Sequence, residues 1–200
     1  MPGFVLSFDP GLVNMGVCLI DADTLCIQHL AIMTIGHKRD SAVLCVHEFA
    51  RGVEQIVHKW CLTNGNTSVV IELQPVKTGR KAVNPVMYGV AQGMAGVMYG
   101  LGFERVTMYP ARNKLTPFGL VGLTYPERKA GILWVAKLFV SRIEPTGSEY
   151  AALLFDDSRK CDDLADAYVQ AVVFCARTMH DRLRCAEILS MGITEAVGIY

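Results

Sequence analysis

The sequence predicts an α/β fold in which a five-stranded mixed β-sheet is flanked by α-helices. Three observations lead there. The first 35 residues carry three runs of strand-type residues separated by turn formers. Beyond them, segments of helical periodicity alternate with two further apolar strand runs. The chain is 200 residues long, 52% hydrophobic and only 19% charged, with no repeat, low-complexity run or Ser/Pro linker, so residues 1–200 are expected to form a single domain around one sizeable core.

In chain order, FVLSF (4–8), MGVCLID (15–21) and TLCIQHLAIMTI (24–35) are the first three predicted strands. DSAVLCVHEFARGVEQIVHKWCL (40–62) has the period of an amphipathic helix. TSVVIEL (67–73) is the fourth strand and ERVTMYP (104–110) the fifth. Between them, VMYGVAQGMAGVMYGLG (86–102) is short of the ~20 apolar residues of a membrane span, and it carries Gln92 and five glycines. It is expected to be a helix of a soluble protein. Gly89, Gly93, Gly96 and Gly100 keep one side of it thin, for close approach of another backbone either in the core or across a dimer interface. A helix near 126–142 and another over 162–180 complete the set.

The last helix raises the functional question, because KCDDLADAYVQAVVFCAR begins with three aspartates and is otherwise built for burial. At about 100° per residue, Asp163, Asp166, Gln170 and Arg177 fall on one stripe only about 60° wide. Asp162 suits an N-cap and Asp163 the helix dipole. Asp166 lies beyond the cap and points the same way as Asp163, and two carboxylates held so repel each other unless a cation sits between them. Two more acids stand out. Asp9 ends or bends the first strand before Pro-Gly, where a turn former is the simpler explanation. Glu72 directly follows Val69-Val70-Ile71 in a strand that reads as buried, which costs several kcal/mol unless the acid is paired or binds metal.

Charge is placed unevenly. The net charge is zero, yet from Val76 to Val140 nine bases stand against two acids, and the remainder of the chain carries the compensating negative charge. A solvated loop surface accounts for scattered lysines; a nucleic-acid surface beside an acidic site accounts for the segregation. Seven cysteines with no CxxC pair suggest neither a disulfide framework nor zinc, and the five histidines have no zinc spacing, so an intracellular, reducing compartment is expected. The start runs directly into a strand pattern without a signal-peptide profile.

Two strand acids, Asp9 and Glu72, with the helix pair Asp163 and Asp166 make the oxygen-ligand inventory for two Mg²⁺ ions, with Mn²⁺ as a substitute. Such a pair activates a water on one side of a phosphodiester and stabilises the leaving oxygen on the other. The order strand Asp, strand Glu, helix Asp-x-x-Asp resembles the ribonuclease H-like nuclease superfamily. More specifically, SFDPGLVNMGVCLID, VVIELQ and KCDDLADAYVQA resemble the motifs of RuvC-type Holliday junction resolvases, in the right order over nearly the whole chain. The KxDDxADA form of the last motif is most similar to the resolvases of poxviruses and related large DNA viruses.

The resemblance implies a homodimer that binds four-way and other branched DNA and introduces paired, metal-dependent nicks, in the host cytoplasm if the chain is poxviral. It carries over to Asp9, Glu72, Asp163 and Asp166, with Asp162 as the alternative to Asp163 should the helix start in another phase. It also places Lys114, Arg128 and Lys129 near the scissile phosphate, with Lys114 stabilising charge that develops there. Lys77, Arg80, Lys81 and Arg112 are the remaining candidate DNA contacts. Two other functions use the same residues differently. DPGLVNMG also fits the D-x-G-x-x-x-x-G phosphate loop of actin-like ATPases. A DNA-structure-binding protein without catalysis would need only the basic segment.

Overall fold

The computed structural model describes residues 3–37, 39–73, 77–78, 81–82, 85–145, 148–156, 161–180 and 182–191. Strands β1 (Phe4–Asp9), β2 (Met15–Asp21) and β3 (Ile27–Met33) form an antiparallel meander. Helix α1 (Ala42–Lys59) leads to β4 (Thr67–Leu73), and a two-stranded ribbon of β5 (Lys77–Thr78) and β6 (Lys81–Ala82) follows. Helix α2 (Pro85–Gly100) leads to β7 (Val106–Pro110). Both β4 and β7 run parallel to β1, giving a five-stranded mixed sheet in the order β3-β2-β1-β4-β7. After β7 come α3 (Ala111–Leu115), a 3₁₀ turn (Thr116–Phe118), α4 (Tyr125–Ile143), α5 (Glu149–Phe155), α6 (Cys161–Thr178) and α7 (Arg182–Met191).

The alternation of side chains along β1 and β4 sorts the core into two halves. Leu6, Phe8, Val69 and Ile71 pack with α1 and α2, where Phe8 meets Phe49 edge-to-face at 5.2 Å. Val5 and Val70 face α6 and α4. Helix α6 lies across the sheet and is buried almost throughout, from Leu164 to Ala176, as its narrow polar stripe requires.

The third strand is shorter than its apolar pattern suggests. The Asp21 carboxylate accepts hydrogen bonds from the N–H groups of Asp23 (3.1 Å) and Thr24 (2.8 Å), and Leu25 takes a positive φ of 64°, so residues 22–26 turn instead of extending. In α2, the glycine stripe divides. A side chain at Gly89 or Gly93 would meet Ala42 or Val46 of α1, which is close packing in the core, while Gly96 and Gly100 have open space before them. No helix among the described residues is long and apolar enough to cross a membrane. All seven cysteines are free thiols.

Candidate active site

Asp9 is the last residue of β1 and Glu72 the last but one of β4. Because Phe8 pairs with Ile71 in the parallel register, these two acids are neighbours at the C-terminal edge of the sheet. Strand alternation turns both toward α6, on the side of Ser7 and Val70. Helix α6 is anchored to β1 at that point: Gln170 Nε2 donates to Ser7 Oγ and to the carbonyl of Phe8, both at 3.1 Å. One turn earlier Asp166 comes over the strand acids, and a further turn back Asp163 follows. The close approach depends on Gly16, which pairs with Asp9 in β2; a Cβ there would overlap the carbonyl of Asp163 and sit 3.0 Å from Ala167 Cβ.

Two lysines enter this carboxylate cluster. Lys114, on α3 directly after β7 and expected to stabilise charge at the scissile phosphate, is only 4% exposed; its Nζ lies 2.5 Å from Glu72 Oε2, 2.6 Å from Asp166 Oδ1 and 3.5 Å from Asp9 Oδ1. A solvated surface lysine does not occupy such a position. Lys129, on the second turn of α4, has its Nζ 2.7 Å from Asp166 Oδ2, 3.1 Å from Asp163 Oδ1 and 3.3 Å from Asp162 Oδ2. The start of α4 is fixed by Glu127, whose carboxylate accepts from the Thr124 N–H (2.7 Å) and hydroxyl (2.6 Å), closing a capping box.

Burial governs the electrostatics. It pushes the Asp9 carboxyl well above the usual carboxylate range; Lys114 draws it down, and Glu72 and Asp166 push it up again. For Asp166, burial acts in the same upward direction, but Lys114 and Lys129 outweigh it and hold the acid below its ordinary value. Burial disfavours both ammonium groups, yet their carboxylate partners overcome it and hold Lys114 and Lys129 above an ordinary lysine. Both lysines are therefore charged, as is Asp166.

The cluster opens into a cavity of about 380 Å³ lined by Asp9, Glu72, Lys114, Lys129, Asp163 and Asp166, with Tyr125 and Arg128 also in its wall. Arg128 and Lys129 each stand 5.9 Å from the Tyr125 ring. Asp162 does not line the cavity and is the most exposed of the three helix acids, at 36% against 17% for Asp163. Arg112 is exposed on α3 and does not line the cavity. Lys77 and Lys81 stand in β5 and β6, but their side chains, and Arg80 altogether, lie outside the described residues.

Chemically, the site offers carboxylate oxygens from two strands and one helix, with two ammonium groups among them. Among the described residues, no group of three or more acids, histidines or cysteines is spaced to hold a metal ion. Glu72 Oε2 is buried, and Lys114 Nζ, 2.5 Å away, is its partner. Both glycines of the D-x-G-x-x-x-x-G pattern are accounted for by packing: a Cβ at Gly11 would overlap the carbonyl of Asn14, and Gly16 admits α6. This favours a carboxylate site over a nucleotide-phosphate loop. Sequence reasoning missed Gln170 as the anchor of α6 and the insertion of both lysines among the acids. The only local signal was that Gln170 shares the stripe of Asp163 and Asp166.

Neither a protein-family model nor a curated relative matches the sequence. Solved structures do match. RuvC of Thermus thermophilus superposes with a TM-score of 0.56 at 13% identity, over 87% of this chain and 95% of RuvC. T. thermophilus RuvC in complex with Holliday junction substrate gives a TM-score of 0.55, also at 13% identity, over 89% of this chain and 98% of the other. The chain thus has the ribonuclease H-like α/β fold seen in RuvC, a five-stranded mixed sheet with flanking helices.

Proposed function

We propose that this protein is a divalent-metal-dependent endonuclease that resolves four-way DNA junctions. The observation that carries the proposal is the convergence of Asp9, Glu72, Asp163 and Asp166 on one cavity. It is supported by a fold shared with a protein whose solved complex contains Holliday junction substrate.

The donor chemistry suits a hard cation, since the lining side chains offer carboxylate oxygens with no thiol or imidazole among them. Bound by these four acids, two Mg²⁺ ions per protomer, replaceable by Mn²⁺, would activate water and stabilise the leaving oxygen of a phosphodiester. Asp9 and Glu72 hold their carboxylates on rigid strand ends, and Gln170 fixes the helix that carries Asp163 and Asp166. Lys114 puts a buried positive charge where negative charge develops on the phosphate. Arg128, Lys129, Arg112 and the β5–β6 lysines with Arg80 neutralise flanking phosphates, which positions the DNA without reading its sequence.

A two-fold junction calls for two sites related by two-fold symmetry, hence a homodimer of single-domain protomers, with the outer side of α2 at Gly96, Tyr99 and Gly100 as its contact. The KxDDxADA motif extends the proposal to the poxviral branch, and so to recombination and the processing of viral replication intermediates. The test is a synthetic four-way junction, labelled on each strand in turn and incubated with the protein in Mg²⁺ or EDTA. Paired, symmetric nicks in Mg²⁺ alone are expected. Junction binding without Mg²⁺-dependent nicks would leave a non-catalytic binder and overturn the proposal.

A further inference from the structure

Lys129 bonds oxygens of the two helix acids assigned above as metal ligands, Asp163 Oδ1 and Asp166 Oδ2. An ammonium and a divalent ion therefore compete for the same lone pairs. Two cations at that separation in a largely buried site repel each other strongly. The ammonium has a way out. Its side chain is 19% exposed, against 4% for Lys114, and it stands at the cavity wall beside Tyr125 and Arg128.

We propose that Lys129 is the resident counter-cation of the metal-free site and that metal entry exchanges it outward onto a DNA phosphate. This rests on the nuclease reading above. The charges favour exchange. In the metal-free site the Lys129 ammonium is committed to Asp162, Asp163 and Asp166 and is not free to meet an incoming phosphate. A bound divalent ion takes over the pairing of Asp163 and Asp166. It also frees a positive side chain at the place where the phosphate must enter. Metal and DNA binding then strengthen each other, and linkage makes the coupling equal in both directions. Lys129 is thus a positioning residue with two partners, carboxylate before metal and phosphate after it.

The experiment measures junction affinity of wild type and Lys129→Met in EDTA and in Ca²⁺, together with Ca²⁺ binding to the free protein. Exchange predicts that Lys129→Met weakens junction binding about 10-fold in Ca²⁺, where a phosphate contact is lost, and less than about 2-fold in EDTA, where Lys129 is held by aspartates. A second readout needs no variant. In lysine-selective ¹H–¹⁵N spectra of the wild type, the ammonium signal identified by its contact with the Tyr125 ring should be protected in EDTA and shift or vanish on adding Ca²⁺. Equal losses in both buffers, or a Lys129 signal indifferent to Ca²⁺, would overturn the exchange. Wild-type protein that binds neither Ca²⁺ nor the junction would overturn the nuclease reading instead, whereas binding of both with Lys129 unmoved overturns only the exchange.

Discussion

On the side of the sheet covered by α1 and α2, β1 and β4 present Leu6, Phe8, Val69 and Ile71, all fully buried among Phe49, Val90 and Met94. On the side covered by α6, the same two strands present Val5, Ser7 and Asp9, and Val70 and Glu72, against a helix that contributes Asp166 and Gln170. One face has only apolar area to bury, which stabilises the fold at about 25 cal/mol per Å². The other interrupts its apolar area with charges that oppose burial unless each is paired. The alternation of a strand thus lets adjacent residues serve opposite ends: Phe8 supports the fold, and Asp9, one residue on, carries a charge that the fold must tolerate.

The largest effect should come from breaking the charged face at Asp9. Asp9→Asn is expected to lower junction cleavage by on the order of 10³-fold or more, because the amide keeps the shape and loses the metal affinity. Metal-free stability should not fall with it. The folded-state pKa of Asp9 is raised, so its contribution to stability is present below the unfolded pKa and is lost as pH rises through the folded value. Melting curves in EDTA should therefore show the variant at least as stable as wild type at pH 8, with the gap closing toward acid pH. A variant clearly less stable at pH 8 would show that Asp9 serves the fold through Lys114, and the contrast between the faces would weaken.

On the apolar face the reverse is expected. Phe49→Ala removes the edge-to-face partner of Phe8 and leaves a cavity, a loss of roughly 3–5 kcal/mol in urea denaturation. Cleavage per folded molecule should stay within a few-fold of wild type. A specific defect in chemistry at full occupancy of the folded state would mean that this face also tunes the site.

A smaller effect tests the seam between the faces and shows what could be read from sequence. Long elements such as α1, β4 and α6 were legible because periodicity needs several residues to appear. The five residues of α3 and the two-residue strands β5 and β6 are too short to show any, and α5 is set by a local cap in which Ser148 accepts from the Ala151 N–H. The acids were legible for a related reason: Glu72 and Asp166 stand in apolar surroundings, where a carboxylate is conspicuous. Lys114 and Lys129 sit in polar-looking stretches and become unusual only when the chain folds them onto the acids. Gly16 lies between these cases, since its place in the motif was visible but its purpose was not. Gly16→Ala should push α6 off β2 and cost about 1–3 kcal/mol by overpacking. It should also lower cleavage, because Asp163 and Asp166 move with the helix. Loss of stability with undiminished cleavage would show that the helix acids do not depend on this approach.

The smallest expected effect distinguishes two adjacent aspartates. Asp162 and Asp163 both reach Lys129, at 3.3 and 3.1 Å, so an ion-pair argument alone ranks them together. Exposure and direction separate them. Asp163 lines the cavity and shares the helix stripe of Asp166 and Gln170, whereas Asp162 lies outside the cavity, where an exposed ion pair contributes about 0–1 kcal/mol. Asp162→Asn should therefore change the single-turnover cleavage rate by less than about 3-fold, the scale of such a pair. Asp163→Asn should lower it more than about 10-fold, the scale of a disturbed metal ligand. The two rates, measured at saturating Mg²⁺ with pre-bound junction, would reverse the ligand assignment if Asp162→Asn proved the inactive one. That outcome would also require α6 to turn by about 100° on the sheet when metal binds, since successive helix residues differ by that angle.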